Sequence, residues 1–323
     1  MKKRLLTLSL ALLAAFAVKA QKPEMAQAVV HYKFSHIRDT TAKDKPYTEN
    51  MVLFVGPTAS AYKSYDKKLQ DAMMRKQLEQ QMADQRGSTN MNFKVQGRTP
   101  TTNTEYYQFQ ADKKLIRKER LITPYIIEEP MPAINWKISA DTASFGSLHC
   151  QKATGHFKGR DYTAWFCPDV PFHTGPWKLN GLPGLIVEAY DTNKEVVFKF
   201  DGMDEVVKSD KPAETAQTAP APGMGPMTMI RMGDDPNLDP NVITLPTDAV
   251  KTTEKEFVKL QDAMRKDPQA FMAAMGGKMG MMSPGAGPAG GGGRDPVRQV
   301  INVSGGPSTT AVINNPLELP EKK

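Results

Sequence analysis

Cysteine is scarce in this chain: two residues in 323, Cys150 and Cys167. Histidine is nearly as scarce. No two of His31, His36, His149, His156 and His173 stand at HxH or HxxxH spacing, so a zinc site would have to be assembled from distant segments. There is no GxSxG elbow, no P-loop and no dinucleotide fingerprint, which removes the simplest hydrolase, nucleotidase and dehydrogenase readings. Long apolar runs are absent beyond the first twenty residues. A membrane-spanning helix needs about 18 or more, so none is expected. No catalytic residue is assigned. Glu128, Glu129, Glu188 and Asp191 are the carboxylates from which a hydrolytic pair could be drawn, and a hydrolase with an unrecognised site stays open as one alternative.

What is present begins with an export signal. Lys2, Lys3 and Arg4 precede an apolar stretch from Leu5 to Val18, and Val18-Lys19-Ala20 has the small-x-small form that signal peptidase accepts. Residues 1–20 are read as a signal peptide and the mature chain as starting at Gln21. No cysteine follows the apolar stretch, so no lipid anchor is expected. The formal charge of +7 comes from 42 basic and 35 acidic residues; without Lys2, Lys3, Arg4 and Lys19 the balance is 38 against 35. A surplus of three is an ordinary solubility charge, and no nucleic-acid partner is expected.

Residues 21–323 read as a single β-rich domain. Ala26 to Ile37 alternates as a strand. Asn50 to Val55 and Ala59 to Tyr65 form a pair broken at Gly56-Pro57, and Tyr106 to Ile127 returns to strand character around a turn at Ala111-Asp112-Lys113. Pro130 and Pro132 bar a central strand near them. Leu185 to Tyr190 and Glu195 to Phe200 pair around residues 191–194. A polar, exposed helix is predicted over 66–86, and a loop from Gly87 to Thr104. A second helix is predicted over 252–275, broken near Asp267-Pro268 and opened by a capping box of Thr253 and Glu256. Residues 205–245 and 276–298 are low-complexity insertions rich in Met, Gly and Pro, read as disordered loops. Short late strands are expected at Val300–Val303 and Thr309–Ile313. The fold class is mainly β: an antiparallel curved meander or open barrel with one or two flanking helices.

The two cysteines fit one hairpin. His149 to Phe157 and Arg160 to Cys167 are its strands, and Lys158-Gly159 is its turn. With a two-residue turn, Cys150 and Cys167 face each other as a non-hydrogen-bonded pair about 4.5 Å apart at Cα, a spacing a disulfide tolerates. A slip of one residue would put them on opposite faces. A disulfide also suits an exported chain.

Gly181-Leu182-Pro183-Gly184-Leu185-Ile186 is the most distinctive run. Asn180-Gly181 is a turn signal, and Pro183-Gly184 suits the centre of a type II turn, so the run predicts a rigid corner feeding a strand. Together with Cys150–Thr154, Gly159–Trp165 and Gly175–Lys178, it resembles the GLPGLI family, exported proteins of unknown function from Bacteroidetes-type bacteria. Ile127–Pro130, Ile134–Trp136, the helix through Asp267-Pro268 and Asn315-Pro316-Leu317-Glu318-Leu319 share the resemblance. It implies an envelope location (periplasmic, outer-membrane associated or secreted) and an all-β core. It implies no catalytic residue.

Two further features bear on binding. Trp165, Trp177 and Tyr162, with Arg160 beside them, crowd the central segment, either as core or as the lining of an apolar or peptide ligand groove. Methionines cluster at Met224, Met227, Met229 and Met232, and again at Met279, Met281 and Met282, where thioethers could hold Cu(I) as the one cofactor alternative. The function expected is that of an exported, non-enzymatic binding or accessory protein whose partner is an envelope protein or an apolar or peptide ligand. Soft-metal handling is its alternative.

Overall fold

The computed structural model describes residues 23–85, 90–96, 99–206, 241–246, 249–278, 298–304 and 312–321. In chain order the elements are β1 (Glu24–Met25), β2 (Ala28–His36), β3 (Tyr47–Val55), β4 (Ala59–Ser64), α1 (Tyr65–Asp84), β5 (Asn90–Gln96), β6 (Glu105–Phe109), β7 (Lys114–Arg120), β8 (Pro124–Pro130), β9 (Lys137–Phe145), β10 (Leu148–Phe157), β11 (Arg160–Cys167), β12 (Leu185–Asp191), β13 (Val196–Glu205), β14 (Val242–Ile243), β15 (Val250–Thr252), α2 (Glu254–Lys266), α3 (Pro268–Lys278) and β16 (Arg298–Ser304).

Twelve strands form one sheet in the order β15-β8-β7-β6-β4-β3-β2-β13-β12-β11-β10-β9. Every pairing is antiparallel except β15 with β8. The chain therefore enters at the middle of the sheet, runs outward from β2 to β8, crosses to the opposite edge and runs inward from β9 to β13, where β13 pairs with β2. The crossing, residues 131–136, explains the curvature. Ten strand spacings separate β8 from β9, about 48 Å in a flat sheet, whereas the crossing spans at most about 25 Å fully extended. The sheet must curl until its edges approach, yet β8 and β9 do not pair, so the barrel stays open.

Both faces of the β2–β8 half are covered. Val30, Tyr32, Leu53 and Tyr62 point to the concave side, while Val52, Phe54, Ala61, Tyr107 and Ile116 form a second cluster on the other face. That second cluster includes Ile243, from the two-stranded ribbon β1–β14. At the edge, α2 lays Phe257 against Tyr125 and Ile127 of β8. In the β9–β13 half, Ala153, Ala164, Ala189 and Phe198 are successive ladder partners, so three small side chains leave the concave face shallow there.

Several sequence expectations are corrected. The predicted loop 87–104 contains β5, which pairs in parallel with β16. A parallel partner some 200 residues away leaves no local signal. The polar segment Lys137–Phe145 is an edge strand that alternation did not reveal. The predicted helix 66–86 spans Tyr65–Asp84, with Ser64 accepting from Lys67 N as its N-cap. The helical stretch over 252–275 agrees with expectation: it breaks at Asp267-Pro268 into two helices, and the Thr253–Glu256 capping box is formed. Within the two insertions, β13 reaches Glu205, β14 occupies Val242–Ile243 and α3 extends to Lys278; the other residues of both insertions, apart from 206, 241 and 244–245 of the first and Arg298 of the second, lie outside the described residues, as does the greater part of the strand expected at Thr309–Ile313.

Edge strand β9 carries its own protection. Its ladder with β10 is irregular between Gln151 and Ala153, and Ser139 Oγ accepts from Asp141 N inside the irregular stretch. A broken, charged edge discourages further strand pairing.

Candidate functional site

Residues 168–184, between β11 and β12, cross the concave side of the sheet. Gln108 of β6 donates to the carbonyls of Trp177 and Leu179 (3.3 Å each), Ser60 of β4 bonds Thr174 (2.8 Å), and Gln110 donates to His173 O (3.1 Å). A bridge between Thr174 and Asn180 closes the segment into a small lasso. At its tip Trp177 is 1% exposed and stacks on Phe198, with Phe157 and Tyr162 beside it. Its φ of +57° is uncommon for a side chain of this size, and the surrounding contacts hold it there. This lasso is a plug, and it fills the space a ligand groove lined by Tyr162 and Trp177 would need.

The hexapeptide forms the plug's exit. The expected type II turn is absent. Gly184 N donates to Leu182 O (2.9 Å) in a three-residue turn around Pro183, and Leu185 N turns away to Val170 O (3.1 Å). The reason is a close approach: a Cβ on Gly184, at φ +151°, would lie 2.3 Å from Cys167 O. Glycine lets the plug exit lie directly on the carbonyl of the disulfide-bonded residue. Leu182, Leu185 and Ile186 are all buried, and Tyr32 donates to Ile186 O (2.7 Å). The Cys150–Cys167 disulfide is present, with Cα atoms 4.1 Å apart, in the hairpin register of the two-residue turn.

The candidate ligand residues do not share one site. Tyr162 and Trp177 meet in the core. Trp165, three residues from Tyr162 on β11, is only half-buried and meets Phe145 at the border of that core. Arg160 is buried and salt-bridged. Its Nη1 donates to Asp191 (2.6 Å) and Glu195 (3.4 Å), its Nη2 to Asn315 Oδ1 (2.6 Å) and Pro316 O (2.7 Å), and its Nε to Leu317 O (3.1 Å). Met224, Met227, Met229, Met232, Met279, Met281 and Met282 lie outside the described residues. Among the described residues no group of three or more His, Cys, Asp or Glu is arranged to hold a metal ion.

Sequence reasoning missed a second charged centre. Arg117 of β7 donates to Glu119 (2.8 Å) and Glu129 (3.2 Å) and contacts Glu254 of α2. Lys178 of the plug bridges Glu129 (2.8 Å) and Glu318 (2.9 Å). Burial lifts the Glu119 carboxyl above its ordinary value despite Arg117, whereas Lys178 and Lys158 hold Glu318 below its own against the effect of burial. The detectable signal was parity: Arg117 shares a strand face with the buried Leu115, so it had to point inward. The four carboxylates considered as catalytic candidates are dispersed among different partners. Glu128 pairs with Lys114, Glu129 with Arg117 and Lys178, and Asp191 with Arg160, while Glu188 accepts from Phe200 N. An open cleft of about 420 Å³ lies between the Gly56-Pro57 turn and Pro171–Thr174, with Ser60, Gln110 and His173 on its wall.

A family model described as "Protein of unknown function (Porph_ging)" matches residues 157–188, the stretch that contains β11, the plug and the start of β12. No curated protein matches. Among solved structures, PNGF-II is similar in two crystal forms. The P21 form has a TM-score of 0.41 at 9% identity, covering 57% of this chain and 29% of that one. The C2 form has a TM-score of 0.44 at 7% identity, covering 72% and 32%. The chain thus spans under a third of that protein's length, and no activity is carried over from it.

Proposed function

We propose that this is an exported, non-catalytic binding or accessory protein of the bacterial cell envelope and a member of the GLPGLI family. The observation that carries the reading is the plugged sheet. The family-like residues fill the concave side, and the arginines and lysine that reach it are matched by carboxylates, which suits a scaffold presenting surfaces rather than a reaction chamber. The Cys150–Cys167 bond supports residence in an oxidising compartment. The family match over the plug supports the GLPGLI assignment, since residues 181–186 lie within it. With Trp177 filling the interior, a peptide or protein partner fits better than an apolar molecule enclosed by the sheet.

The reading is tested by expressing the full chain in a Gram-negative host and analysing the periplasmic and secreted fractions by intact mass. A mature chain starting at Gln21 with no free thiol is expected. Retention in the cytosol with residues 1–20 attached would sink the export claim, and turnover of a substrate that depends on plug residues would sink the non-catalytic one.

A further inference from the structure

Residues 312–321 belong to no strand or helix, yet they are held in place over the turns at one end of the sheet. Their contacts are those of a bound peptide. Only Asn315 is buried; Leu317, Glu318 and Leu319 are half-buried and the rest are exposed. Asn315 is read from every side. Its Oδ1 accepts from Arg160, its Nδ2 donates to Ile37 O (2.8 Å) and Glu195 (2.9 Å), and its backbone N donates to Arg38 O (3.0 Å). Arg160 also takes the next two carbonyls. Further along, Glu318 sits between Lys158 (3.0 Å) and Lys178 (2.9 Å), and Leu319 N donates to Lys158 O (3.0 Å). Glu321 then reaches His156 (2.8 Å) and Gly159 N (3.1 Å). A Cβ on Gly159 would lie 2.8 Å from the carbonyls of Leu319 and Pro320, so the floor of this track is shaped to admit a backbone.

We propose that this track is a peptide-binding site for an extended acidic segment with an Asn anchor and a Glu three residues later, occupied here by the chain's own residues 314–321. The receptor is preformed by the sheet. Arg160 is fixed by Asp191, and Asp191 Oδ1 in turn accepts from Glu195 N and Val196 N. The occupant contributes one buried side chain and a series of charge-assisted hydrogen bonds, which give specificity through geometry and are exchangeable in water. The site does not depend on whether the protein is exported.

The test uses the full chain with a protease site introduced between residues 305 and 311 and cut under native conditions. A fluorescent peptide of residues 312–321 should replace the severed segment with micromolar affinity. A peptide carrying Asn315→Ala should bind at least tenfold more weakly, and one carrying Glu318→Gln several-fold more weakly. Equal binding of all three peptides would overturn the proposal, as would a severed segment that cannot be exchanged from folded protein. Hydrogen exchange on the intact chain is a second check: the amides of Asn314, Asn315 and Leu319 should open together at least a hundredfold faster than the β2–β3 ladder. Opening only with the ladder would make the segment an integral part of the core and end the idea.

Discussion

Arg160 and Arg117 project from the concave face of the same sheet, with side chains 3% and 14% exposed, and each meets several carboxylates. Their partners differ in kind. Three of the five hydrogen bonds of Arg160 go to oxygens of residues 315–317, two of them backbone carbonyls, so Arg160 holds chain. The bonds of Arg117 go to side-chain carboxylates of β7, β8 and α2, so Arg117 balances charge. The acids around Arg117 have other partners: Lys178 for Glu129 and Thr104 for Glu119. Among the described residues, the Asp191 carboxylate has only the backbone N–H groups of Glu195 and Val196 as hydrogen-bond partners besides Arg160. Two arginines in similar surroundings are therefore expected to differ in what their loss exposes.

The largest effect is expected from Arg160→Met. It strands a buried carboxylate, and breaking such a pair costs about 3–5 kcal/mol, read as a shift in the urea unfolding midpoint. A loss equal to that of Arg117→Met would erase the distinction.

Next is an acid sensitivity on the Arg160 side, centred on His36. Burial, Arg38 and Arg160 lower His36 to about 4, so it is neutral when folded. The unfolded chain takes up a proton near pH 6.5 and the folded one does not. Stability is therefore full above pH 6.5 and falls as the pH drops toward 4, by about 3 kcal/mol across the window. Denaturation midpoints of His36→Gln should be flatter over that range, and parallel curves would refute the assignment.

Arg117→Met is expected to cost about 1–2 kcal/mol, because Glu119 and Glu129 keep partners and Glu254 is exposed to water. In a double-mutant cycle with Glu254→Gln, a coupling near zero would remove α2 from the network.

The smallest effect lies at the exposed end of the 312–321 segment. Glu321→Gln should leave global stability unchanged and lower the His156 titration midpoint, which Asp161 and Glu321 raise. An unmoved midpoint by NMR would show that the contact is not formed in solution.

Much of this was legible residue by residue. The strands of the 148–167 hairpin, its Lys158-Gly159 turn and its cysteine pairing follow from local alternation and one turn signal. The Thr253–Glu256 cap is equally local. Strand β9 was not legible, because Lys137–Phe145 has one partner and mixed exposure, so no apolar period marks it. The plug was visible as a motif but not as a plug. Pro183-Gly184 reads as a free type II turn until Cys167 O is placed against Gly184.

The sequence by itself determined the β class, the register of the 148–167 hairpin and the approximate helix starts, since these depend on neighbours within a few residues and on the two-residue repeat of the strand. Only the tertiary structure decided that the two sheet edges approach, that the GLPGLI-like run exits a plug, and that Arg160 grips Asn315. Each of those depends on which separate segments are packed together, and no local repeat or turn signal carries that information.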